Sequence, residues 1–294
     1  MFYRRKIILA LLQLLNGKID KISLQKLLFL FTIRQSKSIY DFIPYKYGSF
    51  SYSANADLLT MVNKGYLSES PSCYKSLVTK DYFSELTIDD KKDLSDVVET
   101  YGKMTAESLM KLTYSTFPYW AINSVKAQSI LTNNEYQKVL KNKPFSNETI
   151  LFTIGYEGIS LEEYLNRLIK NDVKVLVDVR RNPLSMKYGF SKSRLKKCCN
   201  SVGIKYMHFP EVGIHSQQRQ ELKDQKDYDA LFSIYRKEQL LQTIETQKEI
   251  YNLLIENKRI ALTCFEADIC QCHRKSLSES IQSFANFELP LKHI

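Results

Sequence analysis

Several features are missing from this sequence of 294 residues. No apolar run is long enough to span a bilayer, so we expect neither a membrane-spanning segment nor a membrane partner. The two arginines near the N-terminus precede apolar residues at helical spacing, and no cleavage site of small residues follows. We therefore expect an amphipathic helix there, not a signal peptide. No internal repeat or low-complexity segment is present, and the composition is that of a globular protein.

Acidic residues are fewer than basic ones, with 32 Asp and Glu against 42 Lys and Arg and a net charge of +10. An excess of positive charge favours polyanionic partners, because each neutralised phosphate releases counterions. The expected partner is nucleic acid or a nucleotide, although such charge also serves solubility alone. The sequence has 6 cysteines, and we find no secretory signal in it. This combination favours free thiols in a reducing compartment and predicts a cytoplasmic location.

The length of the chain predicts two domains, because single domains cluster at about 100–150 residues. Apolar periodicity is lost over residues 132–150, where Lys, Asn and Pro144 predominate, and this stretch is predicted to be a linker. We therefore predict a helical recognition or regulatory domain over residues 1–145. An α/β domain is predicted over residues 146–294.

The first half has apolar residues three and four positions apart in three stretches, 7–15, 24–32 and 54–64, which predict helices. An aromatic turn or short strand separates the second helix from the third. A short wing is predicted over residues 66–78. This order predicts a smaller, mostly α, winged-helix-like domain.

The stretch ISLQKLLFLF, then YGSFS and the segment DLLTMVNKGYL, resembles winged-helix, antitoxin-like domains with the pattern K-L-Q-K-L-x-Y-L, Y-G-P-F-S and D-L-x-x-L-x-x-x-G-L. Ser23 and Ser49 depart from the lysine and proline of that pattern. The resemblance implies a role in regulation, DNA contact or protein binding. The alternative is that the aromatic residues around Gly48 are core residues beneath a turn.

In the second half, strands are predicted at 150–154, 173–179, 204–210 and 258–268, of which the second is predicted to be fully buried. They alternate with predicted helices at 160–171, 191–203 and 228–256. Alternation of this kind predicts an α/β fold with a mostly parallel sheet and flanking helices. Ligands of such sheets bind outside the carboxyl ends of the strands. Every predicted strand ends in polar residues, so one shared pocket is expected there.

Asp178 lies within an apolar strand and needs a partner, for which Arg180 or Arg274 is available. It is predicted either to act on a ligand or to form a structural salt bridge. Segment 180–197 interleaves basic and aromatic residues, which suits phosphates and stacked bases, unless it is only a solvated surface. The turn TIGYEG lacks full G-x-G-x-x-G spacing, which argues against a classical dinucleotide site. The remaining hypothesis is that the turn presents N–H groups to an anion at the N-terminus of the helix that begins after Ser160.

The segment CFEADICQCHR places three cysteines and a histidine within residues 264–274. A four-ligand zinc site would use Cys264, Cys270, Cys272 and His273, but this spacing fits no common zinc framework. A second hypothesis is that Cys264 or Cys272 is a nucleophile favoured by neighbouring cations. The third is that the cysteines pack as small apolar groups beside a functional His–Arg pair.

Five blocks in order resemble the family known as domain of unknown function 488: TIGYE, LVDVR with Pro183 and Ser185, GF-x-K, GI-x-Y-x-H-x-P, and C-x-E-x-D followed by CHR. Val212 replaces a leucine that the family pattern has two residues after the proline of the fourth block, and Cys270 is not part of the pattern. The resemblance implies an α/β fold with one common site, without a particular reaction.

We predict an enzyme acting on nucleic acid or a nucleotide-like, phosphate-bearing substrate. The alternative is a non-catalytic nucleic-acid-binding or regulatory, antitoxin-like protein, with a protein partner at the N-terminal domain. No metal and no cofactor are predicted. The residues predicted to be catalytic are Asp178, His273, Glu266, Cys264 and Cys272. The residues predicted to bind substrate or phosphate are Arg180, Arg181, Lys187, His208, Glu157, Tyr156 and Arg274.

Overall fold

A computed structural model describes residues 1–215, 218 and 222–294 of the chain. The chain divides into two compact units, Met1–Lys143 and Pro144–Ile294, here named unit 1 and unit 2. No helix in the described part of the chain is long and apolar enough to cross a membrane.

Unit 1 is mostly helical. Its helices are α1 (Tyr3–Leu14), α2 (Lys21–Thr32), α3 (Tyr52–Asn63), α4 (Ile88–Tyr101), α5 (Ala106–Thr116), α6 (Ala127–Ile130) and α7 (Asn133–Asn142). The side chain of Asp20 caps α2 and that of Ser51 caps α3, so each accepts hydrogen bonds from otherwise unpaired N–H groups. Gly65 has a φ of +72° and ends α3, a conformation that glycine adopts without steric cost.

Short strands accompany the first three helices of unit 1. They are β1 (Lys18–Asp20), β2 (Ile43–Tyr45), β3 (Gly48–Phe50), β4 (Leu67–Glu69) and β5 (Cys73–Ser76). Strands β2 and β3 form an antiparallel hairpin, and an antiparallel sheet has the order β1-β5-β4. The buried apolar residues of α1, α2 and α3 pack into one core with those of α4.

Unit 2 contains a parallel sheet, which confirms the predicted α/β class. Its strands are β6 (Ile150–Gly155), β7 (Val175–Asp178), β8 (Lys205–His208), β9 (Arg259–Cys264) and β10 (Leu291–His293). They lie in the order β10-β6-β9-β7-β8, and every neighbouring pair is parallel. All residues of β6, β7 and β9 are buried, which explains why these strands read as continuous apolar runs.

The helices of unit 2 flank this sheet. They are α8 (Leu161–Lys170), α9 (Lys192–Ser201), α10 (Gln225–Lys237), α11 (Gln239–Gln242), α12 (Ile244–Asn257) and α13 (Arg274–Gln282). Helix α8 begins after β6, where Ser160 accepts a hydrogen bond from the N–H of Glu163. Since α8 and α13 both begin near carboxyl ends of central strands, polar side chains from several elements meet at that edge.

Three predicted elements differ from the structure. The predicted linker contains α7, because Thr132 and Glu135 form a reciprocal capping box that begins a helix. The single long helix predicted at 228–256 is divided into α10, α11 and α12. Gln247 donates to the carbonyl oxygen of Leu240 there, so a side chain satisfies a carbonyl at the break. Strand β10 was not predicted.

Candidate functional site

The end of β7 is organised by a buried ion pair. The guanidinium of Arg180 donates from Nε to Oδ1 of Asp178 at 2.8 Å and from Nη2 to Oδ2 at 2.5 Å. The backbone N–H of Arg180 also donates to Oδ1, and the hydroxyl of Tyr206 donates to Oδ2 at 2.6 Å. Asp178 is 0% exposed and Arg180 is 5% exposed. Both carboxylate oxygens are thus engaged, which favours the salt-bridge alternative for Asp178.

The other side of Arg180 joins two more segments to β7. Its Nη1 donates to the hydroxyl of Tyr156 at 2.8 Å and to the carbonyl oxygen of Phe190 at 2.9 Å. The rings of Tyr156 and Phe190 stack with centroids 4.2 Å apart. Burial lowers the pKa of Arg180. The hydrogen bonds to Asp178 and the negative charge of Asp178 raise this pKa by more than burial lowers it, so the net shift is upward. Arg180 therefore remains a cation that positions the strand ends.

Cys264, Cys272 and His273 form a buried cluster, named here the Cys–His cluster. Nδ1 of His273 lies 3.8 Å from Sγ of Cys264 and 3.9 Å from Sγ of Cys272. The three potential ligand atoms lie within 4.8 Å of one another. Nε2 of His273 lies 3.1 Å from the carbonyl oxygen of Val179, which can only accept. Nε2 therefore carries the proton, and Nδ1 presents its lone pair to the sulfurs.

The two thiols of the cluster are buried and shielded from water. Burial raises the pKa of the Cys272 thiol, and the positive charge of Arg274 opposes this effect. Cys264 ends β9, and Cys272 and His273 immediately precede α13. Cys270, a member of the four-ligand zinc hypothesis, is exposed and outside the cluster.

A cavity of about 370 Å³ opens at the carboxyl ends of β6, β7 and β9, and we name it the strand-end pocket. Of the predicted site residues, the ones that line it are Tyr156, Arg180, Arg181, Cys264 and His273. Asp178 and Cys272 contact these lining residues from behind. Topology therefore brings residues from distant parts of the sequence to one cavity.

Other predicted site residues lie around this pocket without lining it. Nε2 of His208 donates to the carbonyl oxygen of Arg180 at 2.8 Å, and its Nδ1 accepts from Nζ of Lys192. Nζ of Lys187 donates to the carbonyl oxygen of Tyr156, and burial lowers the pKa of Lys187. Glu157 accepts from the backbone N–H of Ala267. These contacts fix the loops that surround the pocket.

Arg274 is buried, with 1% of its surface exposed. Its Nη2 donates to the carbonyl oxygen of Glu266 at 2.8 Å. Among the described residues, Nε and Nη1 have no hydrogen-bond partner. Arg274 therefore retains donors for an anion or water.

Two backbone N–H groups of the turn after β6, for which an anion was one hypothesis, are engaged within the protein. The backbone N–H groups of Tyr156 and Glu157 both donate to the carbonyl oxygen of Phe265, at 3.1 and 2.9 Å. They tie the end of β6 to the end of β9. Because these donors are engaged within the protein, the turn does not offer them to an anion.

Sequence reasoning missed Tyr206 and Phe190 as parts of the site. Both belong to sequence blocks already noted, but only the fold shows that the Tyr206 hydroxyl reaches Asp178 and that Phe190 stacks on Tyr156. The carbonyl of Val179, which sets the His273 tautomer, gives no sequence signal at all.

Unit 1 also contains cavities. One of them, about 590 Å³, is lined by acidic residues near Asp90, by Gln35 and by the basic residues Arg4 and Lys37. Another, about 240 Å³, is lined by Lys26 and by aromatic residues of the β2–β3 hairpin. Neither combines thiol, imidazole and guanidinium groups, so the strand-end pocket is the stronger candidate for chemistry.

A family model matches part of unit 2. Residues 160–281 match the family model described as domain of unknown function DUF488, a range that includes the Asp178–Arg180 pair and the Cys–His cluster. The TIGYE block of β6 lies just before the matched range. No curated protein matches the chain. Most of unit 2 is thus similar to the domain of unknown function DUF488.

Proposed function

We propose that unit 2 is an enzyme acting on a phosphate-bearing substrate of the nucleotide class, either a nucleotide or a nucleic-acid end. The strand-end pocket holds this substrate. One observation carries the proposal: the thiol of Cys264, the imidazole of His273 and the guanidinium of Arg181 line the same cavity. Groups able to do chemistry and a cation able to hold phosphate are therefore within reach of one ligand.

Arg181 is the phosphate-binding residue in this proposal. It is exposed, and within the described residues its protein partner is the carbonyl oxygen of Pro210, at 3.3 Å from Nη1. A guanidinium has five N–H donors, so most of them remain for phosphate oxygens. Arg180 is already committed to Asp178, Tyr156 and Phe190 and would position the pocket instead.

Apolar side chains beside this cation suit a nucleobase. Leu184 and Met186 line the pocket although they are 75% and 104% exposed, and Phe265 is 42% exposed. Exposed apolar and aromatic groups next to a cation provide a surface on which a flat base can stack while its phosphate is held. The substrate class follows from this pairing of surfaces.

A non-catalytic binding or regulatory protein is the second candidate. The Asp178–Arg180 ion pair favours this candidate. Asp178 was predicted to be catalytic and Arg180 to bind phosphate, but each is already bound to the other. Both candidates require binding in the strand-end pocket. Only the enzyme converts what it binds.

The test uses the purified full chain with a nucleoside monophosphate, a nucleoside triphosphate and a short single-stranded oligonucleotide. Binding is measured by calorimetry and conversion by chromatography. Arg181→Ala should weaken binding about 10-fold or more, since a hydrogen bond to a charged group contributes about 1.5–3 kcal/mol. Cys264→Ser and His273→Ala should retain binding and lose conversion.

Lys197→Ala is the matched control, because it removes one exposed positive charge outside the pocket. It should bind like the wild type. Equal effects of Arg181→Ala and Lys197→Ala would contradict binding at this pocket. Binding without conversion of any probe would favour the regulatory candidate.

We also propose that unit 1 is a winged-helix-like, antitoxin-like domain that binds a protein partner. The order of α1, α2, α3 and the β4–β5 hairpin, with β1 beside β5, supports this class. Helix α3 contains no Lys or Arg, whereas DNA-binding surfaces carry cations that neutralise the backbone phosphates.

A substitution of Leu59, which is 42% exposed on α3, tests whether this helix contacts DNA. In a fluorescence titration of the full chain with labelled duplex DNA, Leu59→Glu should leave the affinity unchanged. A loss of about tenfold or more would show that α3 contacts DNA.

A further inference from the structure

We propose that Cys264, Cys272 and His273 form a metal site for a thiophilic divalent cation, Zn²⁺ in the first place, with one coordination position open to the strand-end pocket. This inference goes beyond the proposed substrate and does not depend on it. It also departs from the sequence-based prediction that the chain holds no metal.

The first support is the symmetry of the Cys–His cluster. Nδ1 of His273 is almost equidistant from the two sulfurs, at 3.8 and 3.9 Å. The imidazole nitrogen therefore favours neither sulfur over the other. A tetrahedral zinc centre with the usual bond lengths separates sulfur and nitrogen ligands by about 3.5 Å. The three ligand atoms lie within 4.8 Å of one another, so side-chain shifts of at most about 1 Å would bring all three onto one ion.

The second support is the tautomer of His273. Its Nε2–H donates to the carbonyl oxygen of Val179, so the nitrogen that faces the sulfurs is the one with a lone pair. Histidines that bind metals almost always donate their other N–H to a carbonyl or carboxylate in this way. The ring is thus held in the orientation that coordination requires.

The third support is the chemistry and burial of the ligands. Cys264, Cys272 and His273 are 3%, 0% and 1% exposed. Two thiolates and one divalent cation make a neutral group, which is tolerated in a buried place far better than isolated charges. Sulfur and imidazole ligands together favour Zn²⁺ over the oxygen-preferring cations. In the described part of the chain, this is the only group of three or more such ligands gathered so closely.

The open coordination position follows from the lining of the pocket. Cys264 and His273 line the strand-end pocket, whereas Cys272 lies behind them. Three protein ligands with a fourth position facing a cavity are typical of catalytic zinc sites, in which the metal lowers the pKa of bound water. The absence of a common zinc spacing in the sequence does not oppose this site, because β9 and the start of α13 bring the ligands together through the fold.

The test begins with the untagged full chain, purified without chelators. Elemental analysis should find about one equivalent of zinc per chain. After removal of metal under reducing conditions, titration with Co²⁺ should give thiolate charge-transfer absorption and the visible bands of a tetrahedral site. Binding of Zn²⁺ should release protons as the thiols ionise.

Cys264→Ser, Cys272→Ser and His273→Ala should each weaken Zn²⁺ binding by at least about 100-fold, because even the loss of outer partners costs 10–100-fold. Cys270→Ser is the matched control: the same change in an exposed cysteine outside the cluster should leave the affinity unchanged. Circular dichroism checks that each variant is folded.

The proposal is overturned if folded wild-type protein fails to bind Zn²⁺ and Co²⁺ with a Kd below about 1 μM, a result that needs no variant. Rapid alkylation of Cys264 by iodoacetamide, unaffected by added Zn²⁺, would instead identify a nucleophilic thiol and also overturn it. Metal binding without nucleotide binding would leave this site intact and contradict only the proposed substrate.

Discussion

At the scale of single residues, Asp178 and Arg180 determine how the strand ends are held. Their ion pair is buried and satisfied by Tyr206, Tyr156 and Phe190. Removing one partner of such a pair leaves an uncompensated buried charge, which costs about 3–5 kcal/mol. Asp178→Asn should therefore lower the free energy of unfolding of unit 2 by about that amount, as measured by urea denaturation.

Glu163→Gln provides the comparison for that variant. It breaks the Glu163–Arg167 pair of α8, whose side chains are 44% and 42% exposed, and should cost no more than about 0.5 kcal/mol. If Asp178→Asn cost as little while abolishing conversion of substrate, Asp178 would be a reactive group rather than a positioning residue.

Lys26 gives unit 1 a pH dependence of its own. Burial lowers the pKa of Lys26 to about 7, and its Nζ donates to the carbonyl oxygen of Ser49 at 2.8 Å. Between pH 7 and the ordinary lysine pKa the unfolded chain binds more protons than the folded one, so stability rises with pH in that window. Once Lys26 has lost its proton, the folded state no longer bears the cost of a buried positive charge.

Lys26→Met removes this titration. From pH 7 to pH 9, wild-type unit 1 should gain about 2 kcal/mol relative to the variant, measured as the difference between their urea unfolding curves. Taking the difference removes the contributions of tyrosines and cysteines common to both proteins. A wild type and variant with parallel pH profiles would mean that Lys26 is not held in this buried state.

The sequence indicates which residue types form the site better than it indicates their roles. The apolar strand around Asp178 predicts a buried carboxylate with an arginine partner, because an isolated charge is too costly there. Arg180 positions the strand ends through hydrogen bonds to Tyr156 and to the carbonyl oxygen of Phe190. These partners are distant in the sequence, so the sequence alone favoured a role in phosphate binding. The metal hypothesis fails on spacing alone and becomes reasonable only when distances are known.

At the scale of elements, the ends of β6 and β9 are packed too closely for a side chain. A Cβ on Gly155 would lie 1.9 Å from the carbonyl oxygen of Glu266. Gly155→Ala should therefore displace the segment between Cys264 and Cys272, lower the stability of unit 2 by about 1–3 kcal/mol and weaken Zn²⁺ binding.

Gly203→Ala is the control for this crowding. Gly203 ends α9 with a φ of +81°, and no atom lies within 4 Å of the position that a Cβ would take, so alanine there meets backbone strain alone. Its stability should also fall, while Zn²⁺ binding stays unchanged. Equal metal binding by both variants would contradict the link between the two strand ends and the cluster.

Elements with strong local signals follow from the sequence. The buried runs of β6, β7 and β9 and the cap of α8 are predictable, because apolar patterning and Ser160 act locally. Strand β10 is not, since it has three residues of which two are exposed, and it exists through pairing with β6. The division of α10, α11 and α12 likewise depends on side-chain contacts of the folded chain.

At the scale of the whole molecule, each unit has its own hydrophobic core. The buried clusters of unit 1 are confined to residues before Lys143, and the cluster around β7 and β9 is confined to unit 2. A separate core allows separate folding. A fragment of residues 144–294 should therefore show a cooperative urea transition and dispersed amide resonances. A fragment without a cooperative transition would contradict the independence of this unit.

The central claim is that the strand-end pocket binds a nucleotide. A crystal structure of the full chain in complex with a nucleoside 5′-monophosphate tests this claim most directly. We expect the phosphate beside Arg181, with the base against the apolar rim near Phe265 and the Cys–His cluster facing the ligand. A ligand bound only elsewhere, such as along the basic surface of α9, with the pocket holding none, would contradict the account.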